Sequence, residues 1–228
     1  MKVTFLQHHE SFGPGRLGEY LARKCQAITT VLMADQTREG ADELDADLVV
    51  TLRSSVSAHR TDVPWVAREH RILSNLIMRG TPLIGICGGA QMISLVTGGG
   101  VSDIGRSYVG WLENDPVVAP VWKGPWFNLH QEQCHPPASA EVLAHAHGTI
   151  QAFQYRCAIG LQFHPEIDAE IVEAALPMIQ TDFRVAAAQA HGLVDETRLT
   201  LNKTAGAREA LFDEILRRCF MGTARRQR

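Results

Sequence analysis

The sequence predicts an α/β protein, a mostly parallel sheet covered by helices on both faces, with a helical appendage at the C-terminal end. Two observations carry this. Apolar, β-branched runs at Val3–Leu6, Ala27–Leu32, Asp47–Leu52 and Leu83–Ile86 alternate with helical patterns. Beyond residue 184 the pattern is helical, which divides the chain into a domain over 1–184 and an extension over 185–228, packed on it or projecting from it.

The elements follow in order. The four runs read as buried strands. A helix spans Pro64 to Arg79, with Asp62 as its cap and Pro64 in the first turn, where a missing N–H does no harm. Trp65, Val66, Glu69, Ile72, Leu73, Leu76 and Ile77 recur along it at helical spacing, and Gly80 stops it. A second helix starts after Cys87 and carries Met92, Ile93, Leu95 and Val96 to the break at Gly98-Gly99-Gly100. From Tyr108 to Phe163, short apolar pieces broken by Pro, Gly and Asn predict strands and loops, as antiparallel additions to the sheet. Helix returns at Ala169–Ile179. A polar stretch around Glu196–Lys203 then leads into an amphipathic helix at Ala207–Phe220.

The 228 residues, 45% apolar and 21% charged, can bury a full core without disulfides or a metal. A net charge of −3 gives no case for a nucleic-acid partner, and the pairs Arg217-Arg218 and Arg225-Arg226 read as a short solvated basic tail. Five scattered cysteines without a CxxC pair predict free thiols in a reducing compartment, the cytoplasm. No run approaches the ~20 apolar residues of a membrane span, so no membrane association is expected.

Two segments carry chemistry. In Pro82-Leu-Ile-Gly-Ile-Cys87-Gly-Gly-Ala-Gln91 an apolar strand runs into a cysteine, and two glycines open a helix. Such a turn pushes a nucleophile outward at the carboxyl edge of the sheet. The helix N-terminus favours a thiolate, and the Gly88 N–H is placed to bind an oxyanion. Cys25, Cys134, Cys157 and Cys219 lack this setting and read as structural thiols. In Ala158-Ile-Gly-Leu-Gln-Phe-His164-Pro-Glu166 another strand ends in an imidazole, which the sheet can bring beside Cys87. Glu166 can turn back onto the distal ring nitrogen, selecting the tautomer and stabilising imidazolium. The remaining histidines, His8-His9, His59, His70, His145, His147 and His191 among them, show no paired context.

Together these segments resemble the class I glutamine amidotransferases, especially stand-alone proteins similar to the glutaminase domain of GMP synthase. The resemblance covers about residues 1–180 and implies a flavodoxin-like architecture. Supporting parts are Phe5-Leu-Gln-His-His-Glu10 with Gly13-Pro-Gly15, Pro64-Trp65 with Glu69, Gly110-Trp111, Leu129-His130-Gln-Glu132 and Gln151-Ala-Phe153. It implies that Cys87 attacks a γ-glutamyl amide, that His164 and Glu166 complete the triad, and that Gln91 and His130 help to hold the substrate. No cofactor or metal is implied. The chain departs from the family after the Asp47–Leu52 strand, where a Gly-Gly-Pro turn is replaced by Thr51-Leu52-Arg53-Ser54-Ser55. The second oxyanion donor would then come from Arg53 or Ser54, and the Arg53 side chain could bind a substrate carboxylate. Tyr108 and Gln131 stand where related sequences have Glu and Gly.

Three functions fit. The first is ammonia release from glutamine for a synthase or ligase partner, since this chain shows no phosphate loop or acceptor domain. The second is hydrolysis of γ-glutamyl peptides or amides. The third is a catalytically weak regulatory or binding subunit that keeps the fold.

Overall fold

The computed structural model describes residues 1–34 and 44–224. Its elements are β1 (Lys2–Gln7), α1 (Gly15–Ala22), β2 (Ala27–Leu32), β3 (Leu48–Thr51), α2 (Pro64–Arg79), β4 (Leu83–Ile86), α3 (Gly88–Val96), β5 (Gly100–Leu112), β6 (Trp126–His135), β7 (Glu141–Ala146), β8 (Thr149–Tyr155), β9 (Ala158–Leu161), α4 (Ala169–Thr181), α5 (Ala187–Lys203) and α6 (Ala205–Ala224). The main sheet has the order β2-β1-β3-β4-β9-β8-β7. It is parallel from β2 to β9, and β8 and β7 add to it antiparallel.

The central strands are apolar throughout because both faces of the sheet are covered. Val3, Phe5, Leu48, Val50, Ile84 and Ile86 enter a core shared with α1 and α6. Their alternates Leu6, Val49 and Leu83 pack against α2 and α3 on the other side. This two-sided cover holds the carboxyl ends of β1, β3, β4 and β9 together at one edge, where an open α/β sheet binds its ligands.

The structure corrects several expectations. Val63 rather than Asp62 caps α2, without a side-chain cap bond, because Asp62 instead takes both ends of the Arg60 guanidinium fork at 2.7 Å. The expected stop holds: Gly80 ends α2 in the left-handed conformation, φ 78°. Only part of the Tyr108–Phe163 region extends the main sheet. β5 and β6 form a separate two-stranded sheet. Phe127 and Leu129 of β6 share a core with Val172, Ala175, Ala190 and Leu193, so the pair is a platform for α4 and α5. The polar stretch at Glu196–Lys203 is the second half of α5, whose buried Ala190, Leu193, Val194, Thr197 and Leu201 keep helical spacing.

Arg217-Arg218 is part of α6 rather than a tail, with Arg217 exposed and Arg218 half-buried. Both arginines pair with Glu214 inside α6, and Arg218 also reaches Glu141 (3.0 Å) and Gln154 (2.9 Å), tying the helix to β7 and β8. Arg225-Arg226 lies outside the described residues. Among the described residues no helix is long and apolar enough to cross a membrane.

α6 places Leu211, Phe212, Ile215 and Cys219 in the core of the main sheet. If the extension is part of the same folding unit, Phe212→Ala should cost about 3–5 kcal/mol. Urea unfolding followed by circular dichroism should then show one transition at a lower midpoint. An unchanged midpoint would mean that α6 docks without supporting the sheet.

Candidate active site

Cys87 sits between β4 and α3 with φ 52°, a conformation disfavoured for any residue with a Cβ and here enforced by its surroundings. Its N–H donates to Leu161 O of β9 (2.7 Å), and its carbonyl accepts from Gln91 N (3.0 Å). The glycines that follow are required by close approach. A Cβ on Gly88 would lie 2.7 Å from Ser54 N, and one on Gly89 would lie 2.3 Å from Thr51 O. The turn after β3 is thus pressed directly onto the first turn of α3.

His164 follows β9, and its N–H is held by Phe127 O at 2.7 Å. Its Nδ1 meets Glu166 Oε1 at 2.7 Å, and Nε2 has no hydrogen-bond partner among the described residues. Burial alone would lower the pKa of this ring. The Glu166 carboxylate and the Cys87 thiolate overcome that and push it up to about 9. Glu166 is fixed in turn, because its carbonyl accepts from Arg16 N (2.8 Å) at the start of α1. The structure therefore brings together the three residues expected to act.

Cys87 is only 5% exposed and lies in the wall of a cavity of about 280 Å³. Its Sγ approaches Leu129 O (3.8 Å) and receives Gln162 Nε2 (3.6 Å). Gln91 and His130 line the same cavity. Burial, helped by the charge of His164, lowers the pKa of His130 to about 4 and keeps its ring neutral. Gln131 bonds both Ser107 Oγ and Asp182 O at 2.9 Å, bracing β5 and β6 against the end of α4.

Arg53 also lines the cavity, but it is no ordinary loop arginine. It is 6% exposed, lies over the Phe12 ring (4.3 Å) and offers Nη2 to Met178 Sδ (3.3 Å). Nε and Nη1 have no partner among the described residues. Burial lowers its pKa, opposed by the negative charges of Cys87, Glu166 and Asp182. Of the two amides considered for the oxyanion, Ser54 N is the one against Gly88, whereas the Arg53 carbonyl accepts from His8 Nδ1 (3.0 Å).

Sequence reasoning left His8 without a partner, yet His8 Nε2 meets Glu69 Oε2 at 2.6 Å in the interior. The signal was present. Glu69 falls in the apolar stripe of α2, and a carboxylate on a buried helix face needs a partner. His8, like His164, ends an apolar strand at the carboxyl edge. Gln162 was missed because nothing in an apolar strand end distinguishes a glutamine that faces a thiol.

The family model described as glutamine amidotransferase class-I matches residues 22–177. A glutamine-hydrolyzing GMP synthase subunit from Ignicoccus hospitalis is 32% identical over 97 residues, 38% of this chain and 51% of that protein. The glutamine-hydrolyzing GMP synthase of Pyrobaculum aerophilum is 36% identical over 94 residues, again 38% of this chain but 18% of that protein. The match thus spans about half or less of each curated relative. Among solved structures, a glutamine amidotransferase from Thermotoga maritima superposes with a TM-score of 0.80 at 20% identity, covering 95% of this chain and 98% of that one. One from Methylobacillus flagellatus gives 0.83 at 21% identity, covering 97% and 94%. At these identities the two structures establish a shared fold.

Two measurements test the electrostatics of the site. If His164 activates the thiol, limited iodoacetamide should alkylate Cys87 at neutral pH, and His164→Ala should slow that reaction while Cys25 labels as before. Equal labelling of Cys87 in both proteins would separate the ring from the thiol. The second measurement uses pH. A histidine pKa raised from 6.5 to about 9 contributes stability that is complete below pH 6.5 and is lost as pH rises through about 9. Glu166→Gln should therefore lose less stability than wild type between those two values, read from urea midpoints. The same loss in both proteins would mean that Glu166 does not hold the proton on His164.

Proposed function

We propose, from the premise that this chain belongs to the class I glutamine amidotransferase family, that it hydrolyses the side-chain amide of glutamine through a γ-glutamyl thioester on Cys87 and supplies the ammonia to a synthase or ligase partner. The observation that carries this reading is the buried His164–Glu166 pair beside a cysteine held at positive φ on a strand-to-helix turn, in the wall of a cavity.

The Cys87 thiolate attacks the amide carbon, and the carbonyl electron pair moves to oxygen. The Gly88 N–H, in the helix turn whose amides lack intrahelical acceptors, receives that oxyanion. Imidazolium His164 gives its proton to the leaving nitrogen, the C–N bond breaks, and ammonia departs. His164 then takes a proton from water, which attacks the thioester, and collapse of the second tetrahedral intermediate returns the thiolate and glutamate. Glu166 keeps the ring oriented and stabilises its charged form. Gln91 and His130 hold the γ-glutamyl group.

A partner follows from the chemistry, because free ammonia is useful only to an acceptor-activating enzyme, and one matched relative is named as a subunit of GMP synthase. A second reading is favoured by Arg53. A buried guanidinium at the cavity wall suits a substrate with an additional carboxylate, as in γ-glutamyl peptides.

Incubation with glutamine and a panel of γ-glutamyl compounds, with ammonia, glutamate and the Cys87 adduct followed by mass spectrometry, separates these readings. Cys87→Ala should abolish turnover, and His164→Ala should reduce it by ~10²–10⁴. Arg53→Ala should raise KM for carboxylate-bearing substrates more than for glutamine if the second reading holds. Glutamate release persisting in Cys87→Ala would remove the thioester mechanism.

A further inference from the structure

The turn after β3 lacks the glycines that would let its backbone take any conformation, so something else must fix it. Its peptide between Arg53 and Ser54 is gripped from one side. His8 Nδ1 donates to the Arg53 carbonyl at 3.0 Å, and His8 Nε2 meets Glu69 Oε2 at 2.6 Å. The other carboxylate oxygen of Glu69 accepts from Thr51 Oγ1, and the Trp65 ring lies 4.9 Å from the His8 ring. With Glu69 as carboxylate both atoms facing the imidazole are acceptors, and a ring that donates from both nitrogens satisfies them. A raised pKa for His8 agrees: burial opposes the charge, and Glu69 more than restores it.

In a trans peptide the carbonyl and the following N–H point in opposite directions. With the Arg53 carbonyl turned to His8, the Ser54 N–H is turned away from it, on the side where Ser54 N packs against Gly88. Ser54 N–H meets no acceptor among the described residues. Buried ion pairs are poor stabilisers, since well-packed apolar residues often serve the fold as well or better. A pair that holds a specific peptide in one orientation has a different use.

We infer that His8 and Glu69 are positioning residues that orient the Arg53–Ser54 peptide so that the Ser54 N–H joins Gly88 as the second oxyanion donor. The inference rests on the reading of Cys87 as an acyl-transfer nucleophile. The second donor comes from an amide held by His8, just after β1, and Glu69 of α2, where the family's turn relies on glycine.

The test compares two reactions of the same thiol in the full chain. p-Nitrophenyl acetate acylates Cys87 through a tetrahedral oxyanion: the C–S bond forms, the carbonyl pair moves to oxygen, and collapse expels p-nitrophenolate. Iodoacetamide alkylates Cys87 by direct displacement of iodide and forms no oxyanion. Loss of one donor costs ~10²–10³ in rate. His8→Ala should therefore slow acylation by ~10²-fold while alkylation stays within about twofold, and its effect on glutamine turnover should fall on kcat rather than KM. His8→Asn, which keeps an N–H near the position of Nδ1, should recover part of the rate. Glu69→Gln removes the charge at nearly unchanged shape and gives the same comparison if His8→Ala does not fold.

Acylation as fast in His8→Ala and Glu69→Gln as in wild type would overturn the inference and leave Cys87 as nucleophile. A parallel fall in acylation and alkylation would also overturn it, by reducing the pair to a structural role. Wild-type protein that alkylates at Cys87 but is never acylated there would instead sink the acyl-transfer reading, and the inference with it.

Discussion

The site depends on one close contact, the backbone of Thr51–Ser54 pressed onto Gly88 and Gly89. With a Cβ only 2.3 Å from Thr51 O or 2.7 Å from Ser54 N, no other residue type fits at either position without moving backbone. The contact has two consequences. It brings β3's terminal turn within reach of whatever reacts at Cys87, and it leaves the first amides of α3 uncovered by side chain. The positive φ of Cys87 is sustained by the same packing, together with its bond to Leu161 O. Strain at a nucleophile persists only where neighbours over-determine it, and here β3, β9 and α3 all do.

Around that contact stand two histidine–glutamate pairs, one acting on the thiol and the other on the turn pressed against Gly88. His164 and Glu166 lie beyond β9, whereas His8 directly follows β1 and meets Glu69 of α2. Both imidazoles are buried, and both have raised pKa values because a carboxylate outweighs burial. Their surroundings suit them to the different roles proposed for them. His164 Nε2 has no hydrogen-bond partner among the described residues, as a proton-moving nitrogen would require, while both nitrogens of His8 are engaged. An imidazole with both nitrogens tied is suited to holding and poorly suited to acid–base work.

Much of this was legible in the sequence. The four parallel strands, α2 and the turn at Cys87 follow from apolar runs and punctuation by Pro and Gly, because local pattern and tertiary burial agree there. The family resemblance carried the pairing of Cys87 with His164, which only the sheet brings together across a long separation. Less legible were features decided by tertiary contact. The hairpin of β5 and β6 leaves the main sheet because α4 and α5 need a surface, and α5 hides its apolar stripe among Glu196, Arg198 and Lys203. Arg53 reads as a surface residue by type, and only the packing of Phe12 and Met178 around it makes it interior.

Arg53 also completes the charge balance of the site. A buried guanidinium without a carboxylate at hydrogen-bond distance is costly in isolation. Here the thiolate of Cys87, the carboxylate of Glu166 and that of Asp182 all act on it favourably, though none touches it. In the ion-pair form that the proposed mechanism uses, Arg53 and His164 are two cations set against two anions, Cys87 and Glu166, and Asp182 stands at the cavity wall. In the proposed reaction the thiolate is consumed in forming the thioester while His164 passes its proton to the leaving nitrogen, so one anion and one cation are lost together. Arg53 then remains as the cation of the inner site against the Glu166 carboxylate. A guanidinium that keeps its charge through that step would favour the oxyanion that forms when water attacks, at the stage when His164 starts out neutral.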